Sequence, residues 1–180
     1  GQETRIDPSV SNIVDVYMLE RTYDNLFRVW LQDGGTKPEA STSDQMRISY
    51  SGTLDQLKSL SDQIIYHPVK YRILFGTNAD EQLQATFKIV KNTKTNVTDA
   101  VIKTRVIVAI NEFFALDNWD FGDAFYYTEL AAYIHNQLAP DLLTAVIVPN
   151  QSGQTFGSLF QINSAADEIF ISGATVDDVS

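Results

Sequence analysis

The segment from Val97 to Leu116 constrains this chain more than any other. At about 100° per residue, Ile102, Val106, Ala109, Ile110 and Phe113 form one broad apolar stripe, widened by Ile107 and Phe114. A second, smaller cluster holds Val97, Val101 and Val108, and only narrow polar strips separate the two. The pattern predicts a helix over 97–116, with Asn96 or Thr98 near its cap. A helix apolar on two sides is covered on two sides. It is either a central core helix or one that faces its own core and another subunit. The sequence leaves both open. The candidate interface positions are Val97, Val101 and Val108, or Phe113 and Phe114.

Around this helix the periodicity alternates between strand and helix. Residues 12–20 read as a strand with Ile13, Val16 and Met18 inward. Thr22 is placed to cap a helix through Leu31, with Leu26, Phe27, Trp30 and Leu31 on one face and Asp33-Gly34-Gly35 as its stop. Residues 33–45 read as a flexible polar loop, 46–50 as a short strand, and 53–65 as a helix ended by His67-Pro68. Strands are expected at 71–75 and 84–90. Asp123 is placed to cap a helix over 124–138, with Tyr127, Leu130, Ala131, Ile134 and Leu138 as its stripe and Pro140 as its close. A buried-type strand at 143–148 and two neighbouring strands at 159–162 and 168–172 complete the reading. The expected class is α+β, with mixed sheets and two consecutive helices (about 97–116 and 124–138) packed on strands. The expected division is a strand-rich region over 1–92 and a helix-helix-strand region over 93–180, within one continuous fragment of a longer protein.

Charge sharpens that division. From Val106 to Ser180 there is no Lys or Arg, and ten acids. The first 105 residues hold 13 acids and 13 bases, so the net charge of -10 belongs to the last 75 residues. Such a surface cannot grip phosphate, which argues against nucleic acid as a partner. It is either a solubilising face or one that meets a basic partner. The chain has no cysteine, so it has neither disulfides nor thiolate chemistry, which fits a reducing compartment. No apolar run reaches the roughly 18 residues of a membrane span, so no membrane insertion is expected. The start, GQETRIDPSV, lacks the apolar core of a signal peptide and an initiating Met, and reads as a fragment or a processed chain.

Catalytic signals are thin. Gly153-Gln154-Thr155-Phe156-Gly157 has the outline of a nucleophile elbow, but no helical pattern follows and both histidines come earlier. His135 has no second His or carboxylate at i+3 or i+4 to make a metal pair, and His67 precedes a proline in an expected loop, so a structural role is expected for each. Asp117, Asp120 and Asp123 are spaced by three, whereas calcium loops place acids at alternate positions. Asn96-Val97-Thr98 and Asn150-Gln151-Ser152 match the glycosylation pattern but lack a secretory context. The chain is therefore expected not to be an enzyme, and no cofactor or metal is expected. Aromatics crowd one stretch: Trp119, Phe121, Phe125, Tyr126 and Tyr127. They suit a surface contact, with Trp119 and Tyr126 as candidate interface positions, or a local core plug. A ligand-binding module is the alternative function, with Trp119, Phe121, Tyr126 and Tyr127 beside Asp117 and Asp120 as a sugar platform.

Several runs together resemble a known family. They are Thr98-Asp99-Ala100-Val101, Val108-Ala109-Ile110-Asn111-Glu112-Phe113-Phe114, Trp119-Asp120-Phe121-Gly122-Asp123, Thr128-Glu129-Leu130 with Ile134, and Val146-Ile147-Val148. This order of a helix ending in paired aromatics, a glycine before the next helix and a strand after it resembles the C-terminal part of baseplate J-like proteins. The preceding QATFKIVKN and the early NIVDVYMLE are similar as well. These proteins are wedge subunits of contractile phage tails and related injection machines. The resemblance implies a structural role without catalytic residues, self-association as a dimer, and contacts with other wedge proteins around the tail tube. It also implies a place in the virion's tail baseplate, assembled in the host cytoplasm.

Overall fold

The structure, a computed structural model, describes residues 12–54, 63–151 and 161–180. The fold is α+β, and the chain divides into two compact units, Gly1–Lys70 and Tyr71–Ser180. The seam lies before the expected boundary near residue 92. The reason is that the strand at 85–91 pairs with a strand beyond residue 140, which ties it to the second unit.

In the first unit, β1 (Ile13–Met18) lies parallel to β2 (Gln63–Pro68). Parallel neighbours need a long crossover, and the intervening segment carries α1 (Arg21–Asp33) and α2 (Ser43–Tyr50). Along β1 the even-numbered residues Val14, Val16 and Met18 are half-buried, whereas Ile13 is exposed. Side chains alternate along a strand, so Ile13 cannot share a face with Val16 and Met18 as expected. Helix α1 begins at Arg21, with Glu20 rather than Thr22 as its N-cap. It buries Tyr23 and Phe27, leaves Leu26 exposed, and stops at Gly34 and Gly35, both at positive φ.

Helix α2 corrects two expectations at once, because the polar loop ends early and 46–50 is no strand. Thr42 Oγ1 accepts from the Gln45 backbone N–H at 3.2 Å, and Gln45 Oε1 accepts from the Thr42 N–H at 2.9 Å. This capping box fixes a helix start, and Met46 anchors the turn in the core. The Tyr50 hydroxyl donates to Glu20 Oε2 at 2.8 Å, tying α2 to the residue before α1. Residues 63–65, expected to end a helix, belong to β2; Leu57 and Leu60 of that expectation lie outside the described residues.

In the second unit, β3 (Lys70–Leu74) pairs with β8 (Glu168–Ser172). β4 (Ala85–Lys91) pairs antiparallel with β6 (Leu142–Pro149), and β5 (Ala124–Tyr126) with β7 (Gln161–Asn163). The expected neighbours near 159–172 thus join different partners. β6 is only half covered, with Leu143 and Val146 exposed, so it is not the buried strand its composition suggests. Helix α3 (Asp99–Phe113) packs on α4 (Tyr127–Leu138), and α4 on β6. Asp123 does not cap α4, because β5 intervenes and sends Phe125 into the core.

The core is aromatic. Phe75, fully buried, meets Phe87 at 5.0 Å, Phe125 at 5.8 Å and Phe114 at 6.3 Å between ring centroids. Its backbone φ is +65°, rare for a bulky residue, and Gly76 follows at +80°. Two successive left-handed residues turn the chain out of β3 while sending the Phe75 ring inward.

Arg105, the last cation of the sequence, is held within this unit. Its Nη1 donates to Asp141 Oδ2 at 2.9 Å, and the Thr95 hydroxyl donates to Asp141 Oδ1 at 2.7 Å. Those two bonds, Arg105 first, hold the Asp141 carboxyl below the usual carboxylate range. A lowered folded-state value makes the stabilisation complete above the unfolded carboxylate pKa, about 3.9, and removes it as pH falls through the folded value. The melting-temperature gap between the wild type and Asp141→Asn is therefore expected to be largest near neutral pH and to close below pH about 4. Thermal melts across a pH series check this.

Candidate association surface

Helix α3 shows how a helix apolar on two sides is accommodated. Thr98 caps it, accepting from the Val101 N–H at 3.3 Å. Ile102, Val106, Ala109 and Ile110 are buried, while Val101 and Val108 are 48% and 50% exposed. The second cluster therefore lies outside the core of this chain. Val97 precedes the helix, half-buried, and its carbonyl accepts from Lys91 Nζ at 2.9 Å. On the exposed side Val101, Thr104, Val108 and Asn111 recur at alternate spacings of three and four, the spacing of a helix–helix seam. None of these four is charged.

The aromatic candidates separate. Phe114 is 2% exposed and stacks on Trp119 at 5.3 Å, with 11° between planes. It belongs to the core, which corrects its place among the interface positions. Phe113 and Trp119 are half-buried, and Tyr126 is exposed. The supposed sugar platform does not assemble as a unit: Tyr127 is buried in the core, while Phe121 and Tyr126 are exposed.

A different group converges. Phe113, Trp119, Tyr133, Asp123 and Glu129 line an open cleft of about 390 Å³. Phe113 lies 5.7 Å from Trp119 and 5.6 Å from Tyr133 between ring centroids. Trp119 Nε1 donates to the Phe113 carbonyl at 2.8 Å, so its one polar group is already bonded. The Tyr133 hydroxyl reaches Glu112 Oε2 at 3.3 Å. Burial, then the charge and hydrogen bond of Glu112, raise its pKa. Tyr133 and Glu129 fall outside the aromatic run that draws attention in the sequence. Their signal is the i, i+4 spacing on α4, which puts them on one helix face.

The polar candidates have local roles. The Asp123 carboxylate accepts from the Asp120 N–H at 2.7 Å and closes a turn. Among the described residues no three His, Cys, Asp or Glu side chains gather as metal ligands. His67 Nε2 lies 2.8 Å from Asp15 Oδ1, and its ring stacks on Tyr17 at 4.5 Å. His135 is exposed on α4. Thr155 and its flanking glycines lie outside the described residues. No helix among the described residues is long and apolar enough to cross a membrane.

The chain matches no protein-family model, and no curated protein matches it.

Proposed function

We propose that this chain is a structural subunit that associates with copies of itself through the exposed face of α3. The carrying observation is the exposure of Val101 and Val108 on a helix whose opposite face is buried. Uncharged residues at seam spacing suit helix-on-helix contact. Together with the resemblance in sequence, this supports the C-terminal portion of an inner-ring wedge subunit of a T-even-type contractile tail baseplate. Other wedge proteins would then be the remaining partners. The test is mass in solution, by light scattering on a sizing column over a wide concentration range. Mass rising toward a closed dimer supports the reading; a strict monomer at the highest concentration counts against self-association.

A further inference from the structure

The cleft beside α3 has a chemistry that α3 pairing does not use. Three rings line it together with Asp123 and Glu129. Neither carboxylate has an ion pair among the described residues, and the sequence offers no Lys or Arg beyond Arg105. Arg105 is itself bonded to Asp141 at 2.9 Å. Glu112 adds a third acid next to Tyr133. With the indole N–H bonded to Phe113 and the Asn118 amide donating to the Glu112 carbonyl at 3.0 Å, these groups offer a ligand aromatic carbon and carboxylate oxygen. Such a lining repels anions and favours a flat cation.

The geometry points to this cleft as the receptor for an arginine side chain on a basic segment of a partner protein. A guanidinium stacks on aromatic faces while its N–H groups bond carboxylates, which fits a cleft lined by both rings and acids. Charge complementarity supplies the second argument, because Asp123 and Glu129 line the cleft and Glu112 lies beside Tyr133, with no ion pair to any of the three among the described residues. This inference stands apart from the α3 seam and survives if the chain does not self-associate.

The test is a titration of the full chain with acetyl-Gly-Arg-Gly-amide, followed by NMR at the assigned Trp119 indole N–H and the Tyr133 ring. The same peptide with citrulline in place of arginine keeps the shape and removes the charge. Millimolar affinity is expected for a single side chain, weakened by added salt. Glu129→Gln, on an exposed helical position, should weaken binding about fivefold or more, as loss of a charge-assisted bond implies. Asp123→Asn, which keeps an oxygen acceptor for the Asp120 N–H, should act in the same direction. The proposal is overturned if the arginine peptide leaves these signals unmoved, if the citrulline peptide moves them equally, or if Glu129→Gln binds as well as the wild type. A neutral oligosaccharide that shifts the same signals where the arginine peptide does not would assign the cleft to sugars instead.

Discussion

Gly76→Ala is expected to unfold the Tyr71–Ser180 unit at temperatures where the wild type is fully native. A Cβ at this position would lie 2.0 Å from the Gly173 carbonyl oxygen and 2.7 Å from its carbon. Both are backbone atoms, so no flexible side chain can yield. The φ of +80° adds a steric cost of roughly 1 kcal/mol for any L residue. Relief requires β3 and β8 to part where the Gly173 N–H donates to the Leu74 carbonyl at 2.8 Å. That movement drags Phe75, whose ring contacts Phe87, Phe114, Phe125 and Tyr127. Overpacking typically costs about 1–3 kcal/mol, so the total is about 3 kcal/mol or more, a large share of a domain's stability. A drop in melting temperature of about 12 °C or more follows. Gly122→Ala is the control, since it shares φ +80° but meets nothing closer than 3.6 Å. It should cost only the conformational part. Equal losses in the two variants would show that the approach of Gly76 to Gly173 is not what limits this joint.

The parts of this fold that could be read from sequence are those with repeated local signals. The buried stripe of α3 repeats at helical spacing from Ile102 to Ile110, so Ile102, Val106, Ala109 and Ile110 were identifiable as core, and β8 matched its expected residues. Helix α2 was not legible by apolar period, because eight residues bury only Met46. Its capping box at Thr42 and Gln45 was the better signal. The start of α4 was misplaced because Asp123 looks like a cap, while the demand that Phe125 fill the core inserts β5 first. Strand partners were the least legible, since β7 and β8 are neighbours in sequence yet join β5 and β3. Pairing of this kind is decided by contacts distant along the chain, which no short window contains. The candidate surfaces follow the same rule. Val101 and Val108 stood out by helical spacing alone, whereas the cleft needed Phe113, Trp119 and Tyr133 brought together by the fold.

Val101→Glu with Val108→Glu is expected to abolish self-association while leaving the monomer folded. Both side chains are about half exposed in the single chain, so charge there is solvated and the core is untouched. Glutamate is also a better helix former than valine, so α3 itself should gain slightly. In a paired state the same positions lose water, and four glutamates face one another across the seam. A face of a few turns is smaller than a standard interface of about 800 Å² per partner, so the wild-type contact is expected to be of micromolar strength. Desolvating and opposing those charges should weaken it at least about 100-fold, or about 2.7 kcal/mol. Light scattering across concentration reads the association, and circular dichroism with thermal melting reads the fold. A monomeric variant with wild-type helicity and a cooperative melt places the contact on α3. A variant that stays associated moves the interface elsewhere, to surfaces such as the exposed Leu143 and Val146 of β6. Loss of helicity and of the cooperative melt would instead mean that these valines are core after all.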